Sequence, residues 1–455
     1  MTANLAMALS PATGQAPDLP KDDEDKPMWA PTRALRRAVA VAATAAGLGV
    51  LFGRLDLVVV AVPFIVGLSI ALLKRPTRPP TVRLDIERAI NAEGGDVDAR
   101  LMVFNPEDTE YSSLVTRTAV PRWIKARHGY GTYAATVAPN TATVVQIGGS
   151  VERWGEHPIG PAHVMAYACD NLLQCRPVAA PMQQVRAYPV SEPFTADDAM
   201  PRAGGLSGAH RSRRPGEGGE LAGVRHYQPG DRLRRIDWRV SLRTRELHVN
   251  HTLSDRDAEV VLLLDMGADA GESGGVKGAS SVLDTTVRAT ASIADHYLSR
   301  GDRVSCVEYG GRIRRLRAGG GRRHYLAILD WLLGVRVWQG SGDEERLLRT
   351  GGLPSNALVV MLTPLLDDSA VAALATMARS GRFVVVVDTL PPDVRPPHDT
   401  PWSPIAERLW RLDRENVVAE LREHGVPVVP WTGTGSLDQV LRDVTRMSAA
   451  RGAVI

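Results

Sequence analysis

Cysteine is nearly absent from this chain. Cys169, Cys175 and Cys306 are the only three in 455 residues, an odd and widely spaced set that excludes a disulfide framework and suits a reducing compartment. No Cys-x-x-Cys pair accompanies them, so His157, His163, Cys169 and Cys175 read as buried or scattered side chains rather than a zinc site. An excess of one charge is lacking too. A formal charge of +3 gives the whole protein no strong pull toward nucleic acid or anionic lipid, and leaves any electrostatic role to local clusters. No nucleophile and base stand out as a pair. The glycine-rich stretch after Asp265 is not a phosphate loop, because Lys277 lies between Val276 and Gly278 instead of preceding Ser or Thr; a flexible surface loop is the expectation. Nor does a small-residue cleavage pattern follow the N-terminal apolar region, which argues against a removable signal.

What is present fits two or three domains, since single cores seldom grow past about 250–300 residues. Apolar residues make up 44% of the chain, enough for sizeable cores. Residues 1–34 are rich in Ala, Pro and Asp without periodicity and are expected to form a disordered tail. Within 35–75, two uncharged stretches (38–53 and 57–73) are separated by Arg54 and Asp56 and bracketed by Arg33, Arg36 and Arg37 before and Lys74, Arg75 and Arg78 after. Two transmembrane helices are expected, with Arg54–Asp56 as the outer turn. The flanking positive charge then puts both termini and all soluble domains on the cytoplasmic side of a multi-pass protein of the cell (inner or plasma) membrane. A buried helical hairpin in a soluble protein is the alternative.

From Thr81 the period changes to two. Val82, Leu84 and Ile86, then Val97, Ala99, Leu101 and Val103, alternate with polar residues, which predicts half-buried strands and a sandwich-like β-rich domain over 80–190. Gly, Pro, Arg and Ser crowd 191–222, expected to be a linker or long loop. Over 256–450, continuous apolar strands at 260–264, 304–309, 358–362, 383–387 and 427–429 alternate with helices at 280–299, 322–334, 367–379, 404–423 and 436–448. That predicts a doubly wound α/β domain, whose ligands belong beyond the carboxyl ends of the strands.

Two constellations are candidates there. Asp265 and Asp269 after the first strand, with Thr363 and Asp367 after another, offer hard oxygens for Mg2+ or Mn2+; the plain alternative is that such residues cap turns and helices. Between 211 and 245, ten arginines face four acids, with Tyr227, His226 and Trp238 among them, a pattern compatible with anionic lipid or single-stranded nucleic acid but equally with internal ion pairs. Nucleic acid is the less favoured of these partners.

The segment from Gly219 through Tyr227, Gly230, Asp231, Arg235, Ile236, Asp237, Trp238, Ser241, Arg243 and Leu247 resembles, in order and spacing, the signature of the family catalogued as domain of unknown function 58. We place this signature at 219–255. The resemblance takes in the two apolar stretches and the β-rich region as well. It implies a C-terminal half similar to von Willebrand factor A domains, and a role as an adaptor beside a MoxR-type AAA+ ATPase and a transglutaminase-like membrane protein, not an enzyme. Domains of that type bind a divalent ion through Asp-x-Ser-x-Ser; the matching positions here are Asp265, Gly267 and Asp269, so both hydroxyls are missing. Tyr227, Ile236, Trp238 and Leu247 are expected to bury against the α/β domain while the arginines pair with carboxylates. A binder of anionic lipid or nucleic acid, and a hydrolase whose centre cannot be paired in sequence, are the competing readings.

Overall fold

The computed structural model describes residues 28–129, 131–191, 215–228, 236–253, 259–310, 314–338, 353–354, 357–394 and 401–431. The chain enters as a strand, Trp29–Pro31, paired antiparallel with Leu173–Cys175 of the β-rich domain. The expected tail is therefore not structureless from Met28 onward, and residues 1–27 lie outside the described residues. Thr32 caps the next helix, its hydroxyl accepting from Leu35 N at 3.3 Å. Two antiparallel helices follow, α1 (Arg33–Leu51) and α2 (Leu55–Leu73). Asp56 sits in the first turn of α2 and not in the connecting turn. Gly49 lets the helices close on each other, since a Cβ there would stand 2.7 Å from Val58 Cγ2. Their outer surfaces expose Val41, Leu48, Val59, Val60, Ile65 and Ile70. At 19 residues each, about 28 Å by helical rise, both are long and apolar enough to cross a membrane.

The two ends of this hairpin are clasped at one place. Trp29 is buried and its Nε1 donates to Arg78 O at 3.1 Å, while Arg75 donates to Trp29 O at 3.1 Å. Thr32 N and Oγ1 bind Leu172 O and Asn171 O.

The β-rich region is a sandwich of a six-stranded and a four-stranded sheet with a three-stranded sheet beside them. Alternation does what the sequence implies: along Asp96–Phe104 every second residue is buried, and Val97, Ala99, Leu101 and Val103 enter a core shared with Tyr111, Leu114, Val164 and Val185. Residues 215–222, expected as linker, instead belong to a strand, Pro215–His226, paired antiparallel with His248–Leu253.

The last unit is a six-stranded sheet in the order Arg315–Gly319, Arg303–Tyr309, Glu259–Asp265, Leu358–Thr363, Phe383–Asp388, Val428–Pro430. All neighbours are parallel except the first pair. One face packs on α4 (Val282–Ser299) and α5 (Gly321–Leu333), the other on α6 (Asp368–Arg379) and α7 (Ser403–Glu423). The doubly wound expectation holds in these elements; the antiparallel edge strand Arg315–Gly319 was not foreseen, and the expected helix at 436–448 lies outside the described residues. Glu259–Asp265 and Leu358–Thr363 are adjacent, and the chain winds away from them in opposite directions, so the switch point lies between their carboxyl ends.

Candidate functional site

At that switch point, Asp265 and Thr363 meet. Asp265 is buried, its Oδ2 accepting from Thr363 Oγ1 at 2.6 Å and its Oδ1 from Gly267 N at 3.0 Å. Thr363 Oγ1 in turn accepts from Leu365 N at 3.0 Å, fixing the loop in a left-handed conformation at Leu365 (φ 52°). Gly310, at φ 91°, crosses so near that a Cβ would stand 2.8 Å from Gly267 N and 3.4 Å from Asp265 Oδ1. Glycine is thus required for the neighbouring strand end to close over the carboxylate. Trp338 stands at the same edge, half exposed, its N–H bonded to Met266 O at 3.0 Å.

The other two candidate ligands are used differently. Asp269 Oδ1 accepts from Leu283 N at 3.0 Å in the first turn of α4, and burial holds its carboxyl above the ordinary aspartate range. Asp367 caps α6, accepting from Ser369 N at 3.0 Å and Ser369 Oγ at 2.7 Å; its Oδ2 lies 3.8 Å from where a Gly267 Cβ would be. Of the four, Asp265 and Thr363 are hydrogen-bonded to each other. Among the described residues no three His, Cys, Asp or Glu side chains converge as metal ligands, and Asp269 and Asp367 each accept from a helix N-terminus.

The loop between Asp265 and α4, expected to be free, is fastened to the β-rich domain. Val276 N donates to Glu152 O at 2.6 Å. Beside it runs a seam that sequence reasoning missed. Arg153 Nε and Trp154 Nε1 both donate to Asp284 Oδ1, at 2.8 and 3.0 Å, and Asp284 is fully buried. Arg288 grips Glu93 with both arms of its guanidinium, at 3.0 and 2.5 Å. Tyr188 OH donates to Asp330 at 2.6 Å. Ser281 and Asp284 form a capping box readable in sequence, but nothing local announces that Asp284 also receives two donors from 130 residues away. His157 backs the same segment through Arg153 O at 2.7 Å, and burial lowers its pKa.

The signature segment builds a small separate unit. Asp237 caps α3 (Trp238–Thr244), accepting from Arg239 N and Val240 N at 3.1 Å; Ser241 is buried and ties the helix to His248 N at 2.9 Å. These roles explain the Asp and Ser of the motif. Ile236 and Val249 bury together within this unit. Trp238 and Leu247 do not: Trp238 is 62% exposed and Leu242 79%, with Leu247 nearly half exposed. Tyr227 is half-buried. A seven-residue helix on a two-stranded hairpin has too little inner surface for them. Arg239, Arg243 and Arg245 are exposed and, among the described residues, make no ion pair, contrary to the expected pairing. Gly230, Asp231 and Arg235 lie outside the described residues.

Residues 223–395 match the family described as "Protein of unknown function DUF58". Uncharacterized proteins of Mycobacterium tuberculosis and Mycobacterium bovis are 36% identical over 129 residues, which is 28% of this chain and 39% of each relative. The matched part thus spans about two fifths of those relatives' length. Among solved structures, the cupredoxin domain of amoB from Nitrosocaldus yellowstonii (9% identity, 26% of this chain, 95% of that chain) and a non-cellulosomal cohesin from Archaeoglobus fulgidus (12% identity, 24% and 92%) each align with a TM-score of 0.18. Similarity at that level carries no argument about this chain.

Proposed function

We propose that the protein is a membrane-anchored adaptor in which α1 and α2 span the bilayer, and the rest faces the cytoplasm and presents a von Willebrand factor A-like domain to a protein partner, a MoxR-type AAA+ ATPase. The observation that carries the reading is the exposed apolar surface of α3. A tryptophan displayed beside three exposed arginines supplies residue types enriched at protein interfaces, and Leu242 adds apolar area beside them. In the same reading, valine-rich α2 is helical despite its β-branched residues because lipid leaves the backbone no other partner for its hydrogen bonds. The clasp at Trp29 then marks the membrane-proximal end of the β-rich domain. Asp265 and Thr363 hold the strand-end loops of the α/β domain in place through their mutual hydrogen bond.

The test is capture of the neighbouring ATPase by the full chain in detergent or nanodiscs, comparing wild type with Trp238→Ala and Leu242→Asp. Loss of binding by at least about 30-fold, equivalent to ~2 kcal/mol, with an unchanged melting temperature is the expected result; equal binding by all three overturns the reading. Vesicles containing anionic lipid, at low and high salt, separate the alternative in which the arginines bind phosphate headgroups, since that binding falls steeply with salt.

A further inference from the structure

Helix α7 carries a second unpartnered face. Its inner side is anchored on the sheet: Arg414 donates to Asp388 Oδ1 at 2.6 Å and to Pro364 O at 3.1 Å, Leu421 is buried, and Val417 and Val418 pack on the core. On the opposite side, Trp402, Ile405, Leu409 and Leu412 are each at least half exposed. The stripe continues through Asn416 and Ala419, also exposed. Asp388 is the last residue of its strand, so the part of α7 that precedes Arg414 projects past the carboxyl edge of the sheet, roughly 1.5 Å per residue. The apolar half of the stripe is on that projecting part.

The positions advance alternately by three and four residues, which is the seam of a coiled coil and not the broader face that packs on a sheet. With Trp402, Leu409 and Asn416 as a positions and Ile405, Leu412 and Ala419 as d positions, Arg408 falls at g and Asp413 at the following e. In a parallel pair of helices these are the two residues that face each other across the seam. Both are exposed, and among the described residues neither is paired within its own chain. A two-fold axis would then make the same ion pair twice, Arg408 to the other copy's Asp413 and the reverse, so the charge pattern is self-complementary as an isologous interface requires. Leucine at a with isoleucine at d tolerates more than two strands, whereas an asparagine at an a position fixes register and favours two.

We propose that α7 pairs in parallel with α7 of a second copy of this chain, making the protein a homodimer. The helix is already folded on its domain, so the ordering that makes short isolated coiled coils marginal is not lost on pairing.

The experiment is the mass of the full chain in detergent, by light scattering with the detergent contribution subtracted, over a wide dilution series. The mass of two chains is expected. Leu409→Asp with Leu412→Asp reduces it to one chain while the far-ultraviolet circular dichroism stays unchanged, because both side chains are exposed within a single chain. Arg408→Asp alone and Asp413→Arg alone each weaken self-association by about tenfold or more through like charges across the seam, and the two together restore it. Leu409→Cys forms an intermolecular disulfide, since a parallel seam brings the two a positions face to face. A single-chain mass at every concentration overturns the proposal. A trimer or tetramer overturns it, and so does a double charge swap no tighter than the single ones.

Discussion

Two sets of arginines divide this molecule. Arg153 and Arg288, at the seam between the β-rich and α/β domains, are largely buried and bonded to carboxylates that have no solvent contact at all. Arg239 and Arg243 on α3, and Arg245 just past its end, stand in water beside Trp238 and Leu242. In sequence the second set forms the conspicuous cluster and the first is scattered. The structural work is done by the scattered set. A buried pair contributes because neither charge can be left behind without the other, whereas an exposed cluster contributes little to stability and is available to a partner.

That contrast can be broken at several points. The largest expected effect is at the seam: Arg288→Met strands the buried Glu93 carboxylate and should cost about 3–5 kcal/mol in denaturant unfolding, and Asp284→Ala, which strands Arg153 and Trp154 Nε1 and removes a helix cap, should cost as much. A loss below about 1 kcal/mol for both would mean that the two domains do not depend on these pairs. Next comes Asp265→Ala, which leaves Gly267 N and Thr363 Oγ1 without their acceptor and should cost about 1–3 kcal/mol. Millimolar Mg2+ or Mn2+ should leave the wild-type melting temperature unmoved; a rise that Asp265→Ala abolishes would show that the strand-end loops rearrange around an ion.

A smaller effect sits at His157. Its folded pKa is depressed, so the unfolded chain takes up the proton first; stability should fall as pH drops below about 6.5 and level off once the folded pKa is passed. His157→Gln, which can still donate to Arg153 O, should flatten that part of the pH profile. The smallest effect on stability belongs to α3, where Trp238→Ala or Leu242→Asp should stay within about 0.5 kcal/mol of wild type.

Much of the fold was legible because the patterns that encode it are local. The central strands are continuous apolar runs and fall within a residue or two of their expected bounds, and the alternation from Asp96 to Phe104 gave both the strand and its inner face. The pairing of Trp29–Pro31 with a strand over 140 residues away has no such signal, since three residues carry no period. The strand Pro215–His226 was hidden by its own glycines, which read as loop until a partner strand is in place. Of the candidate site, Asp265 and Thr363 were recognisable from their position after buried strands, and they do meet. Asp269 and Asp367 were recognisable only as acids, and capping a helix uses the same side chain as holding an ion. The exposure of Trp238 was not legible, because apolar residues on a helix of two turns face a core or a partner with the same spacing.

The most direct measurement of the central claim is hydrogen–deuterium exchange of the full chain, alone and with the proposed partner, a MoxR-type ATPase, added. The account predicts slowed exchange across residues 238–247, with the seam around Arg153 and Arg288 slow in both states because it is already buried. Protection that spares 238–247, or that appears only at the seam, would contradict it.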